Sequence, residues 1–212
     1  MNPTPAEWVL AVERAYVATA TKKPIVRGAN LFAETSAVSA KLLPGRARAA
    51  IGAVASHYLA VGTPRSIGLI ADTTAAVTDA AISLAAHRSW FAPSDIRCAG
   101  ESADALVTEL ASSKATAIGG ARATQIAEAL ACDIVCIHSP IAIPEGGIRR
   151  GTHLNILAQA VGIADELAKA SMISHEVPGL GELAAGFVDG RQLDEITIFV
   201  LGDAAIALAA LS

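Results

Sequence analysis

The residues best placed to do chemistry sit in one short stretch. Ser66 to Ile70 reads as a buried strand, Ala71 to Thr74 as a tight turn, and the chain from there to about Ala86 as a helix. A short apolar run entering a helix through a polar turn opens a nucleotide-binding βαβ unit. In such a unit the turn carries glycines, so that backbone N–H groups come close to a pyrophosphate at the helix N-terminus. Here the turn is Ala71-Asp72-Thr73-Thr74, with no glycine and with a carboxylate. A carboxylate about 5 Å from a phosphate charge costs roughly 3 kcal/mol at an effective dielectric near 20. Asp and Thr are also good helix N-caps, which gives the same residues a plain structural role.

Other polar groups allow weaker readings. Cys132, Cys136 and His138 fall on one strand face by a period of two, which is a possible metal-ligand spacing. Cysteine in a buried strand also packs as a small hydrophobe. His153 and Asn155 share a strand face and are expected either to line a pocket at the C-terminal edge of the sheet or to be bonded in the core. Gly119-Gly120 forms a second strand–glycine–helix turn that can face an anion. No nucleophile–base pair stands at useful spacing, so hydrolysis has no support.

These groups are carried by an alternation of strands and helices. Helices are expected over Pro5 to about Thr19 and Arg46 to Leu59, with 22–45 irregular, broken at Pro24, Gly28 and Pro44, and holding at most a strand near Pro24 to Val26. Strands are expected at Ile96 to Ala99, Ala115 to Ile118, Asp133 to His138, His153 to Leu157 and Ile196 to Leu201. Helices are expected over Ala103 to Ala111, Ala123 to Ala131, Ile163 to Ala168, Leu180 to Gly186 and Ala204 to Leu211, with a loop over Pro140 to Gly151. The fold class is α/β: a Rossmann-like, doubly wound parallel sheet with a reduced N-terminal helical and dimerisation portion. The expected divisions are 1–62 as that cap, 63–190 as the Rossmann-like domain, and 191–212 as a closing strand and helix returning to the cap.

Bulk properties exclude some partners. The 212 residues carry a net charge of −4, which gives no basic footprint for nucleic acid. Mean hydropathy is high at +0.48, yet no apolar run is long enough to span a bilayer. Glu7 and Glu13 stand where a signal peptide needs positive charge, and three cysteines are too few for a disulfide framework, so a cytoplasmic location is expected. Only 17% of residues are charged, which favours burial of apolar surface in a homo-oligomer.

Several stretches in succession resemble the ornithine cyclodeaminase / mu-crystallin family. They are Arg46 to Ala60 (RARAAIGAVASHYLA), the strand and turn Ser66 to Val77, Cys132 to Pro140 (CDIVCIHSP), Arg149 to Asn155 (RRGTHLN), Asp165 to Leu167 (DEL) and Asp194 to Leu211 (DEITIFVLGDAAIALAAL). The resemblance implies a Rossmann-type domain joined to a domain that supplies dimer contacts and the substrate pocket. It implies NAD(P) as cofactor and hydride chemistry on a small amino or imino acid. By the same resemblance Lys41 and Glu166 are catalytic candidates, and Arg27, Arg48, His153 and Asn155 are substrate-binding candidates. Ala71, Asp72, Thr73, Thr74 and Ser139 fall on a degenerate cofactor site.

The chain departs from that family in three places. The glycine turn is replaced, the position of the family's catalytic aspartate reads as Ala160, and only 22–45 is available for the strands that precede the linking helix. The expected function is that of a divergent cyclodeaminase-like protein with dinucleotide binding weakened or lost. Two alternatives stand beside it: a non-catalytic binding or interaction protein on the same scaffold, and a cofactor-independent enzyme using the remodelled cleft.

Overall fold

The computed structural model describes residues 3–23, 37–112, 120–144, 147–176, 179–192 and 194–211, with backbone alone for 37–42. The elements in chain order are α1 (Pro5–Ala20), α2 (Ala37–Leu59), β1 (Ser66–Ile70), α3 (Thr74–His87), β2 (Asp95–Ala99), α4 (Ala103–Ser112), β3 (Ala121–Ala123), α5 (Ile126–Leu130) and β4 (Ile134–Ile137). Then follow β5 (Ala142–Ile143), β6 (His153–Ile156), β7 (Gly162–Ile163), α6 (Asp165–Lys169), β8 (Ser171–His175), α7 (Leu180–Ala184), β9 (Ile196–Val200) and α8 (Ala205–Leu211).

Seven strands form one sheet in the order β3-β2-β1-β4-β6-β9-β8, and every pair in it is parallel. The order reverses at β1 and β4, which is the switch point where open α/β sheets bind ligands. Strands buried on both faces read as continuous apolar runs, and β1 and β4 are buried along their whole length. One face packs against α1, α2, α3, α4 and α8, the other against α5 and α6.

Local chemistry explains most element ends. Thr4 caps α1 through a capping box with Glu7, and Pro5 stands at the first turn, where its missing N–H is not needed. Trp8, Val9, Val12, Ala15 and Tyr16 form the buried stripe of α1. Thr73 caps α3 by accepting from Ala76 N–H at 3.2 Å.

Several expectations are corrected. The helix expected from Arg46 begins at Ala37 and runs through Pro44, which was expected to break it. Pro44 is exposed, while Ala47, Ala49, Ala50, Ile51, Ala53, Val54 and Ala55 behind it are buried, so packing outweighs the interior proline. Ala123, expected to open a helix, instead ends the strand Ala121–Ala123 paired with β2, and the helix begins at Ile126, because edge pairing overrides the helix preference of alanine. The loop over 140–151 contains β5, which pairs with β7. The edge strand β8, half polar and short, was not foreseen. The closing strand β9 lies inside the sheet between β6 and β8, and α8 behind it packs in the same core cluster as α1 and α2. The strands expected near Pro24 to Val26 and at Ala115 to Ile118 lie outside the described residues.

A polar chain runs through the alanine-rich core between α2, α3, β6 and β9. Asn155 Nδ2 donates to Ser56 Oγ at 2.7 Å, and Ser56 Oγ meets His87 Nε2 at 2.9 Å. His87 Nδ1 bonds Ser83 O at 2.8 Å. His153 Nε2 bonds Asn155 Oδ1 at 3.2 Å, and its Nδ1 meets Thr197 Oγ1, which donates to Leu59 O. Every side chain of this chain is fully buried. Burial pushes the pKa of His87 down to about 4 and that of His153 down to about 3.

Both histidines are therefore neutral when folded and take up protons on unfolding below pH 6.5. Their contribution to stability is complete above that pH and falls as pH drops towards the folded values. Between pH 6 and 5, denaturant unfolding should lose stability at a slope approaching 1.4 kcal/mol per pH unit for each histidine. His87→Gln should remove one proton from that slope, measured as midpoint against pH.

Candidate functional site

The turn after β1 is closed by its own side chains. Asp72 N–H donates to Ser139 Oγ at 2.7 Å, across the switch point. The Asp72 carboxylate turns away from the helix and accepts from Glu101 N–H at 2.9 Å, tying the end of β1 to the end of β2. Thr73 Oγ1 occupies Ala76 N–H. Gly100 makes room for this arrangement. Its φ is +100°, and a β-carbon there would collide with Asp72 Oδ1 and Ala71 O. Two of the amides around the turn, those of Asp72 and Ala76, are thus engaged within the chain.

Beside the turn lies a cleft of about 840 Å³ at the C-terminal edge of β4, β6 and β9. One wall comes from α2 and α3, with Arg48 Nη2 and Asp79 Oδ2 paired at 2.5 Å. The facing walls are the segment 156–161 after β6 and the segment 200–204 after β9. Each carries an alanine in the left-handed region, Ala160 at φ +59° and Ala204 at φ +60°. Non-glycine residues persist there only where the surroundings hold them, and such strain gathers at functional sites. The second wall is held from behind. Buried Glu176 accepts from Gly202 N–H at 2.8 Å, Ala204 N–H at 3.2 Å and the Tyr16 hydroxyl of α1. That carboxylate, after burial itself, raises the pKa of Tyr16 above the usual phenol value.

His138 also lines the cleft, just past β4. Its Nε2 is buried and has no hydrogen-bond partner among the described residues. Burial, with Arg48 and His87 adding, pushes its pKa down to about 3, so the ring is neutral near pH 7. It can exchange one hydrogen bond with a ligand but carries no charge there.

The sequence-derived candidates scatter. Arg48 lines the cleft, and so does Ala160, the position read as the family's catalytic aspartate. His153 and Asn155 do not reach the cleft surface; they are fully buried in the polar chain. Glu166 lies on α6 with its side chain 64% exposed, paired to Lys169 at 2.8 Å. Lys41 belongs to α2, and its side chain lies outside the described residues, as does Arg27. Ser139, Asp72, Thr73 and Thr74 meet at the turn, apart from the residues that line the cleft. Cys132 and Cys136 do not share a face: the strand starts at Ile134, so Cys132 lies in the preceding bend and packs on the opposite side of the sheet. Cys136 Sγ sits 3.7 Å from His87 Nε2, and burial pushes its thiol up to about 12. Among the described residues no group of three metal-ligating side chains is assembled.

Asp79, His138 and Asp203 were missed as cleft residues. Arg48 and Asp79 are 31 positions apart, so no local pattern joins them. A signal for Asp203 existed in the Gly202-Asp203 pair at the end of a buried strand, where α/β sheets place ligands.

No protein-family model matches the sequence, and no curated protein sequence matches it. Solved structures do match it in fold. An archaeal alanine dehydrogenase dimer with bound NAD superposes at a TM-score of 0.76 and 20% identity, over 99% of this chain and 90% of that one. Thermococcus litoralis Δ1-pyrroline-2-carboxylate reductase, in complex with NADH and L-proline, gives 0.76 and 18% over 99% and 93%. A probable ornithine cyclodeaminase from Bordetella pertussis Tohama I gives 0.75 and 17% over 99% and 92%. The ornithine cyclodeaminase-like fold implied by the resemblance is the fold of this chain.

Gly100→Ala should cost about 2 kcal/mol or more, since both the positive φ and the collision with the turn oppose it. Asp72→Ala in the same chain should recover only part of the loss, because Ala71 O and the backbone conformation remain. Denaturant midpoints of the single and the double variant against the unsubstituted chain test this.

Proposed function

We propose that this chain is a divergent relative of the cyclodeaminase-like enzymes, that dinucleotide binding at its β1–α3 turn is weakened or lost, and that its cleft takes a small amino or imino acid. The observation that carries this reading is the turn itself. It carries no glycine, Asp72 N–H is bonded to Ser139 and Ala76 N–H to Thr73, and its carboxylate adds a negative charge beside the helix start. NAD and NADH are bound in two of the structural neighbours, and NAD(P) therefore does not fit this turn in the usual way, so no step is assigned to it.

The catalytic candidates support binding better than hydride chemistry. Glu166 faces solvent away from the cleft, and alanine stands at the expected carboxylate position. The cleft also draws none of its lining from the turn residues 71–74, so a ligand there does not depend on a bound dinucleotide. This favours, as a second reading, a binding protein on the same scaffold. Exposed Leu10, Ile173, Phe187 and Val188 support a homo-oligomer, with α1 and its neighbours as the assembly portion.

Calorimetric titration with NAD(H) and NADP(H) tests the first reading. The unsubstituted chain should bind neither with micromolar affinity. Asp72→Gly combined with Thr73→Gly should raise affinity by about tenfold or more, because relief of one carboxylate–phosphate contact is worth roughly 3 kcal/mol at most. Micromolar binding by the unsubstituted chain would restore a cofactor-dependent enzyme.

A further inference from the structure

We propose that residues 202–204 form a gate between the cleft and a second pocket beside it, and that α1 holds this gate shut through Tyr16 and Glu176. The proposal concerns the width of the cleft and holds whichever ligand the cleft takes.

The sheet order sets the geometry. β9 lies between β6 and β8, and the chain leaving its end stands between two open spaces. On the β6 side is the cleft of about 840 Å³. On the β8 side is a smaller pocket of about 340 Å³, bordered by His175 and Glu176. Val200, Leu201, Gly202 and Asp203 line both. The wall between the two spaces is one chain thick. A segment close-packed on both faces has nowhere to go, whereas this one has room on each side.

Only a short piece of the wall is left to move. Leu201 N–H donates to Ile156 O at 3.0 Å, which fixes its start. Ala204 O accepts from Leu208 N–H at 2.9 Å in the first turn of α8, which fixes its end. Between these points Gly202 N–H and Ala204 N–H donate to Glu176 Oε2 at 2.8 and 3.2 Å. Gly202 permits that approach, since a β-carbon there would lie 2.9 Å from the same oxygen. Ala204 is held at φ +60°, a conformation that residues with a β-carbon leave once the bonds imposing it are lost. One carboxylate thus keeps the gate closed against local backbone preference.

That carboxylate is itself held from α1. Glu176 is 3% exposed, and the donor to its Oε1 among the described residues is the buried Tyr16 hydroxyl. Without that hydroxyl, Oε1 is a buried oxygen left unpaired, which is costly. It regains donors by turning towards water in the pocket it borders, and turning takes the acceptor away from Gly202 and Ala204. The gate then swings towards β8, and the cleft widens into the neighbouring space. A helix that lines no part of the cleft therefore sets its width.

The test is hydrogen exchange by NMR on the whole chain at low urea. The Gly202 and Ala204 amides should exchange through an opening that does not respond to urea, because the gate exposes little surface. Amides of Leu154 and Ile198 inside the sheet should instead follow global unfolding, which urea promotes. Tyr16→Phe keeps the ring and should speed the urea-independent opening about tenfold or more. Glu176→Gln, with one acceptor oxygen in place of two, should do the same. A second readout is the distance between spin labels on Asp203→Cys and Ala75→Cys, the latter exposed on α3 across the cleft. The native cysteines are fully buried and do not compete for label. Adding Tyr16→Phe should bring in a longer distance. Exchange at Gly202 and Ala204 that tracks the sheet amides in urea would overturn the gate. So would a urea-independent opening, or a label distance, that Tyr16→Phe leaves unchanged.

Discussion

Ser56, His87, Asn155, His153 and Thr197 join two helices and two strands through hydrogen bonds that no water reaches. Around them the core is alanine, valine and leucine, which pack in many nearly equivalent ways. Buried polar groups do not share that freedom, because each one left unpaired costs the energy of its lost solvation. The chain of bonds therefore picks one register of α2 and α3 on β6 and β9. Arg48 and Asp79 stand on the same two helices that this chain of bonds holds to the sheet. The same low-dielectric surroundings hold both histidines neutral, so the network stabilises the fold only while it stays uncharged.

A second constraint acts at the switch point. A turn after the first strand has to satisfy the open amides of the following helix, and glycine turns leave this to a ligand. Here Thr73 takes one of them, Ala76 N–H, while Ser139 and Glu101 N–H hold the backbone and side chain of Asp72. The arrangement needs Gly100 at the end of the neighbouring strand, so the two turns form one unit. What is gained is a side-chain cap on the helix start.

The cleft owes its shape to segments rather than to elements. The residues after β6 and β9 leave the sheet, turn through alanines at positive φ, and face the α2–α3 wall. Glu176 and Tyr16 brace one of these segments from α1, across 160 positions of sequence. The N-terminal helix thereby takes part in the cleft without lining it, which gives that helix a role beyond covering apolar surface.

Much of this was legible beforehand. Mostly apolar runs marked β1, β4 and β9, because strands buried on both faces favour apolar residues at nearly every position, while β2 and β6, which carry charged or polar residues, were marked by their place in the strand–helix alternation. The capping residues at Thr4 and Thr73 and the missing glycines of the turn are local facts that composition and spacing display. What the sequence could not show is which distant polar groups meet. His153 and Asn155 looked like pocket residues because period two assigns a face but not the depth of what covers it. Asp79 carried no signal, since its partner Arg48 comes from another element, and His138 was read only for its strand face and not for the cleft it borders. Pro44 and Ala123 were misread where packing and edge pairing overrode local preference. Local bonding and solvent exclusion write themselves into neighbouring residues, so the sequence alone determined the α/β alternation and the altered turn. The buried polar chain, the Arg48–Asp79 pair and the braced cleft wall arise only when the parallel sheet brings separate segments together, and the tertiary structure decided those.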